Sequence, residues 1–375
     1  MSFAEFTAPA SPLDPVSALG FYHDVTSPSA SHLLVSSWDK FVRLYDLTEH
    51  AAGSAPILKS FEHPAPVLDV CWISDTLAAS ACLDRRVRLL HLGTGQVVIV
   101  GKHENGVCRV RYDVHTRLLL SGSWDATVHL YDPHTDPDSC FLRTLRLPDK
   151  VFAMDTVPVS NAPNGVRVQD TTPRLVVATA GRGISIFNLH TIRDALDRDV
   201  TEDAAFAPEQ TRESSLKFML RDVRCMPDGL GYATSSVEGR IAVEFFDPRP
   251  AAQAQKYAFK CHRKDVDGVD IVYPVNTMGF HAVYGTFASG GGDAHCALWD
   301  PIAKKRIRQY ILPSPISALA FSADGALLTI ASGGENLDDT ENAGGIGPGG
   351  AGHILLHIKP ALEDAKPKST KNGTL

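Results

Sequence analysis

The segment Ser121 to Pro133, SGSWDATVHLYDP, constrains this chain more than any other, because its pattern returns along nearly the whole length. It reads as two short strands about a tight turn. Leu118–Ser121 is an apolar run, Trp124-Asp125-Ala126 is compact and polar, and Thr127–Tyr131 alternates at period two. Further copies begin at Ser36 (SSWDKFVRLYDL), Ser80 (SACLDRRVRLLHL), Thr179 (TAGRGISIFNL), Ser235 (SSVEGRIAVEFFDP) and Ser289 (SGGGDAHCALWDP). Each has small residues, then a charged turn, then a β-branched or aromatic strand.

The turn positions Asp39, Asp84, Asp125, Arg182, Glu238 and Asp293 are 45, 41, 57, 56 and 55 residues apart. A basic period of about 40 to 45 residues with four strands per unit is that of WD-repeat propeller blades, and the longer intervals imply loop insertions. The closing pair stands as Trp299-Asp300, and in diluted form as Tyr45-Asp46, Tyr131-Asp132 and Phe246-Asp247. Helical apolar spacing is missing, which excludes ankyrin or heptad repeats. The expected fold is all-β, a seven-bladed propeller in one domain over residues 1–360. Its N-terminal strand, Phe3–Thr7, should complete the last blade.

A chain of 375 residues, 44% hydrophobic, can bury a large core. Repeats override a multidomain reading, since each blade buries its faces only against its neighbours. No apolar run reaches membrane-spanning length, and the N-terminus lacks the basic and apolar regions of a secretory signal, so an intracellular protein is expected. The seven cysteines are scattered without a C-x-x-C pair and fall mostly in strands, where they read as small reduced apolar residues. A formal net charge of −7 argues against general nucleic-acid binding.

In chain order, blades one to three span about Val16–Phe61, Val67–Gly101 and Val107–Leu147. Blade four starts at Val151 and carries two polar insertions, near 160–173 and 193–212, read as exposed loops, the second with room for a helical turn. Blades five to seven span about Asp222–Lys260, Pro274–Leu312 and Ile316–Ile358. A Gly-rich and acidic insertion near 334–352 reads as mobile, and 361–375 as a disordered tail.

Enzyme signatures are missing. GTGQVVIVGKH, from Gly93, has the wrong Gly spacing for a phosphate loop and ends in a strand, and the 15 histidines show no metal-ligand spacing. No cofactor, metal or catalytic residue is expected. His63 and His103 each precede a blade's inner strand. Each is placed to bond its turn aspartate, Asp84 or Asp125, with Ser80 or Ser121 as intermediary, a structural role that satisfies buried groups.

In a propeller, the turns between second and third strands and the links between blades open on one face. Trp38 and Trp124 sit at such turns, where a large aromatic is either a contact residue or lies flat on a neighbouring blade. Lys40, Arg85, Arg86, Arg182 and Arg240 fall at turns, Lys102, Lys260, Arg263 and Lys264 in or near links, and Lys217 and Arg221 where the chain enters blade five. This is a local positive field on a net acidic protein, and it suits an acidic peptide whose carboxylates Arg can grip.

SSWDKFVRLYDL, SGSWDATVHLYDP, TAGRGISIF, RESSLKF, SSVEGRIAVEFFDP, YAFKCHR, YPVN and SGGGDAHCALWDP together resemble the mitotic-checkpoint WD-repeat family known as budding uninhibited by benzimidazole, member three. The resemblance covers about Ser36 to Ser332. It implies a non-enzymatic, monomeric adaptor of the spindle checkpoint, in the nucleus and at kinetochores in mitosis, with cytoplasm as another site. The implied partners are a checkpoint kinase and its kinase-like relative, through acidic GLEBS motifs, and a kinetochore scaffold carrying phosphorylated Met-Glu-Leu-Thr motifs. An assembly inhibiting the anaphase-promoting complex is a further implied partner, whereas membrane and direct nucleic-acid contacts are not implied. Carried over by position, the contact residues are Trp38, Arg240 in SVEGR and Arg263 in KCHR, then Arg182 and Lys217, with Lys40, Trp124, Arg221 and Lys260 as additional top-face contacts. The paralogous nuclear-pore mRNA-export factor, which binds a nucleoporin GLEBS motif, shares FKCHR. It is the alternative, together with a generic scaffold of ubiquitin-ligase or chromatin complexes.

Overall fold

The computed structural model describes residues 12–50, 54–158, 165–333 and 355–367, together with the backbone of 4–6. Seven four-stranded antiparallel sheets form in chain order, with a separate two-stranded ribbon, Arg263–Val266 with Val269–Val272, inserted between the fifth and sixth. The innermost strands are Val16–Phe21, Val67–Trp72, Val107–Asp113, Val151–Thr156, Leu220–Cys225, Val275–Phe280 and Ile316–Phe321. Each is a neighbour of the next, and the seventh returns to the first, so the sheets close into a ring around a channel. These are the seven blades. The last blade's outer strand is Ala4–Phe6, with Ala4 opposite Ile358. Closure of the last blade therefore joins Ala4–Phe6 to Leu355–Pro360, and the ring leaves only the short outer strand of each blade as an edge.

The repeated pattern explains this architecture. Second strands such as Leu118–Ser123, Arg174–Thr179 and Gly231–Ser236 are buried along their whole length because sheets cover both their faces. Small residues there let the blades approach. The aromatic of the closing pair is core: Tyr45 and Tyr131 are fully buried. One apolar cluster joins Leu118 and Leu130 of blade three to Val177 and Phe187 of blade four. Another joins Val35 and Tyr45 of blade one to Ala331 and Ile358 of blade seven. All seven cysteines are free thiols, six of them buried.

Every blade carries a β-bulge at the same place, two residues into its innermost strand, which leaves Ser17, Leu68, Cys108, Phe152, Arg221, Asn276 and Ser317 unpaired. A bulge re-aims its side chain and sharpens the local twist. The turns between second and third strands share a left-handed residue, at Lys40, Arg85, Ala126, Arg182, Gly239 and Ala294. At Gly239 the close approach of the next link, rather than the φ that Lys, Arg and Ala adopt elsewhere, calls for glycine. Its φ is +65°, and a Cβ would come within 2.7 Å of the Cys261 carbonyl oxygen.

Two expectations are corrected, for the second blade-four insertion and for the tail. The second blade-four insertion is packed: helix Leu189–Asp197 buries Leu189, Ile192 and Ala195, and Phe206 lies buried beneath the Arg143 guanidinium, 3.8 Å away. Apolar residues at helical spacing were hidden there among acidic neighbours. The described part of the first insertion is a loop with Arg167, Val168, Gln169 and Thr171 exposed, fastened to the bottom loops by Val166 N to Ala282 O, 3.1 Å, and Gln169 N to Asp228 O, 2.8 Å. The tail is ordered over residues 361–367, where Ala361 and Ala365 are buried and Asp364 pairs with Arg308 and accepts from Tyr310 Oη. Residues 334–352 and 368–375 lie outside the described residues.

Candidate functional site

At the end of the channel where the bulges lie, their seven side chains ring a mouth of ≈ 490 Å³, completed by Trp38, Trp124, Arg109, Met219 and nearby backbone. Apart from Arg221, the bulge positions are the part of the site that motif reading missed. The signal is in the sequence, as the residue after the first apolar position of each blade: V-S, V-L, V-C, V-F, L-R, V-N and I-S.

Trp38 is 45% exposed, and its backbone N–H is anchored on Pro15 O at 3.1 Å. A large aromatic held in water at a rigid turn is available for contact. Trp124 is half-buried, packed on Leu83 of the neighbouring blade and over Gly106, where a Cβ would meet the ring at 3.0 Å. It still lines the mouth. Arg221, set by its bulge, donates to Asn276 Oδ1 at 3.0 Å. Desolvation at the mouth and then repulsion from Arg109 lower its pKa, so an anion arriving there relieves the crowding.

The other cations are joined by the chain. Arg182 donates to Leu216 O at 3.2 Å and pairs with Glu213, which puts it beside exposed Lys217. Met219 O accepts from Val237 N at 3.1 Å, linking this stretch to the blade-five turn. There Arg240 lies 3.6 Å from Glu238 and stands opposite Lys260 across the strand pair. Arg263 donates to Glu238 O at 2.8 Å and to Asp270 Oδ2 at 2.6 Å. The result is an arc of cations over blades four and five, running from Arg182 to Arg263 and reaching the mouth at Arg221. Lys40 is exposed beside Trp38, and neither its position nor that of Trp38 is part of this arc.

The histidines behave differently in different blades. His103 bonds Asp125 Oδ2 at 3.0 Å and Ser121 Oγ at 2.7 Å. His262 likewise bonds Asp293 at 2.8 Å and Ser289 Oγ at 2.8 Å, with Trp299 Nε1 donating to the same hydroxyl. The atom order is that of a nucleophilic triad, but Ser121 and Ser289 are fully buried, so no substrate reaches them. Burial lowers the His103 pKa despite Asp125, which favours a neutral imidazole bonded to the Asp125 carboxylate. His63 corrects the expectation for blade two. It bonds Ser80 Oγ at 2.8 Å but turns its Nδ1 to Phe61 O, while Asp84 is held by Arg88. Four residues after the turn aspartate, an arginine captures it, as Arg43 also captures Asp39 at 2.7 Å. Where that position is His129 or Ala297, the aspartate goes to the blade's histidine.

Residues 95–132 match the WD domain, G-beta repeat family. Across the chain, the mitotic checkpoint protein BUB3.1 of Arabidopsis thaliana is 44% identical over 324 residues, covering 86% of this chain and 84% of that protein. The chain belongs to the Bub3 family of mitotic checkpoint WD-repeat proteins. The Bub3 of Dictyostelium discoideum is 37% identical, covering 88% of each chain. The poly(A)+ RNA export protein of Schizosaccharomyces pombe is 34% identical over 85% of this chain and 81% of its own, a paralogous branch. Membership in the Bub3 family makes checkpoint proteins its partners in general terms. Among the described residues, no group of three or more His, Cys, Asp or Glu side chains is placed to hold a metal, and no helix is long and apolar enough to cross a membrane.

Proposed function

We propose that this chain is a peptide-binding adaptor of the spindle checkpoint, acting in the nucleus and at kinetochores in mitosis. Its top face takes the acidic GLEBS segment of a checkpoint kinase or its kinase-like relative, and phosphorylated Met-Glu-Leu-Thr segments of a kinetochore scaffold. The observation that carries the reading is the cation arc from Arg182 to Arg263, which meets the channel mouth at Arg221 on a chain of net charge −7. Arginine forks suit carboxylates and phosphates, and exposed Trp38 offers an apolar contact nearby.

Titration of the full chain with an acidic GLEBS-type peptide and with a phosphothreonine peptide, each at low and high salt, tests this. Both should bind, more weakly in high salt, since exposed pairs are screened over about 8 to 10 Å at physiological ionic strength. No binding, or salt-independent affinity, removes the electrostatic reading. The kinship to an RNA export protein supports a second reading, in which the same face serves a nucleoporin segment. Affinity capture from mitotic cells separates the two: nuclear-pore proteins recovered without checkpoint kinases would favour it.

A further inference from the structure

The opposite face of the ring holds a second cationic site. Strands of blades three and four that leave the mouth end there, and the turn at 114–117, the loop after Tyr131 and the helix Leu189–Asp197 enclose a cleft of ≈ 400 Å³. His115, Arg117, Asp132, His134, His190 and Arg193 supply most of its lining, with almost no apolar side chain. A cavity of this size with so polar a lining suits a small charged group rather than an apolar ligand.

The interior contacts leave the cations available. Asp132 is the one acid of the lining, and its Oδ1 is taken by the His134 backbone N–H at 3.1 Å. Its other oxygen stands 3.8 Å from Arg193 NH1. Arg193 makes a closer pair with Asp197, 2.8 Å through NH2, which fixes the guanidinium while leaving donors on NH1 and Nε. His134 Nε2 meets Tyr112 Oη at 2.9 Å, and Arg117 acts on both groups: after burial, its charge is the next cause lowering the His134 pKa, ahead of the opposing Asp132. The lining thus sets two guanidiniums and three imidazoles against one carboxylate. Outside, the charge is negative, since Asp136 and Asp138 on the same loop and Asp194 on the same helix are exposed.

We propose that this cleft binds one phosphate monoester carried on a peptide, a phosphorylated serine or threonine, on the face opposite Trp38. Two guanidiniums and imidazole donors match the three acceptor oxygens of such a group. The acidic rim disfavours a polyanionic strand, in which successive phosphates would meet Asp136, Asp138 and Asp194. A phosphopeptide held here leaves the mouth free, so one propeller would join two partners.

The test uses the full chain and three probes: a short Gly/Ala peptide with one central phosphoserine, its unphosphorylated twin, and inorganic phosphate. The phosphopeptide should shift the ring signals of His115, His134 and His190, and bind at least about tenfold more tightly than the twin and several-fold more tightly than inorganic phosphate. Arg117→Gln with Arg193→Gln should weaken the binding that shifts these three histidines about tenfold, while Lys305→Gln, an exposed cation on the outer strand of blade six, leaves it unchanged. If the double variant melts early, Arg117→Gln alone, at an exposed side chain, should still cost about fivefold. Unchanged affinity in these variants overturns the site. Equal affinity for inorganic phosphate and phosphopeptide overturns the peptide assignment and leaves a free-anion site, and binding that leaves the signals of His115, His134 and His190 unmoved assigns it to the top face instead.

Discussion

Arg263 donates from its guanidinium to the backbone carbonyl of Glu238 at 2.8 Å, so the link into blade six is fastened to the turn of blade five. Arg240 leaves the same turn, 3.6 Å from the Glu238 carboxylate. Both arginines can therefore flank one acidic peptide. Arg240→Glu or Arg263→Glu sets like charges against that peptide, a loss of about 2 to 5 kcal/mol if the pair is well desolvated. Affinity measured by calorimetry should fall by tens of fold or more. Glu238 competes for Arg240 in the free chain, so Glu238→Gln should strengthen binding modestly. Wild-type affinity in well-folded Arg240→Glu protein would reassign the site.

Trp38 is exposed and fills no blade interior. Trp38→Ala should cost about 2 kcal/mol of peptide binding if it is a hot spot, with an unchanged thermal midpoint. Trp124→Ala should differ. Its ring packs on Leu83 and over Gly106, so the midpoint should fall along with any loss of affinity. Equal midpoints for the two variants would contradict this division of roles.

The repeat made the ring legible because strand alternation and turn residues are local signals, and Tyr45 or Tyr131 had to be core in any blade. Three features were not legible, each for a non-local reason. Whether Asp84 bonds His63 or Arg88 depends on a competition that strand pairing sets up, in which a charged partner four residues on prevails. The bulges that aim Arg221 and Phe152 into the mouth arise from register between strands, so the residue after each blade's first apolar position is visible in the sequence while its place on the mouth is not. The order of 361–367 rests on Thr286 Oγ1 donating to Ala365 O at 2.8 Å and on Arg308, both distant in sequence. The cation arc was legible position by position, but its intramolecular acids, Glu213, Glu238 and Asp270, were not read as its partners.

Stability should fall in mild acid. His63 is pushed down to about 4 by burial and then by Arg88. His129, stacked 3.7 Å from the His103 ring, is also held at about 4 by burial and then by His103. An unfolded histidine titrates near about 6.5. Because the folded values lie lower, the unfolded chain takes up protons first as pH falls. The full stability is present above about pH 6.5, is lost progressively toward pH 4, and these groups remove no more below that. For fully buried His63 the loss is on the order of 3 kcal/mol. Urea midpoints should be flat from about pH 8 to 7 and then decline, less steeply in His129→Gln protein. A flat profile down to pH 4.5 would contradict the assignment of neutral buried imidazoles.

The strongest structural prediction concerns the far end of the channel, where Arg111 of blade three bridges Asp69 of blade two at 2.6 Å and Asp155 of blade four at 3.0 Å. Burial opposes its charge, but the two carboxylates outweigh that and hold it firmly protonated. The acids also tie backbone across blades: Asp69 accepts from Val110 N at 3.1 Å, Asp155 from Cys225 N at 2.9 Å, and Asp222 from Met278 N at 2.8 Å. Four successive blade boundaries thus share one network, which Arg224 extends from Asp155 to Asp222. Arg111→Leu keeps much of the packing volume and leaves two buried carboxylates facing each other without their cation, a change that costs about 3 to 5 kcal/mol. The urea midpoint should drop accordingly, and raising the pH should not restore it, since the acids then stay charged. Adding Asp155→Asn to Arg111→Leu removes one of the stranded charges and should recover part of the loss. Peptide affinity at the other end of the channel should be unchanged in whatever fraction remains folded. A loss below about 1 kcal/mol in Arg111→Leu would mean that solvent in the channel, rather than Arg111, neutralises these acids.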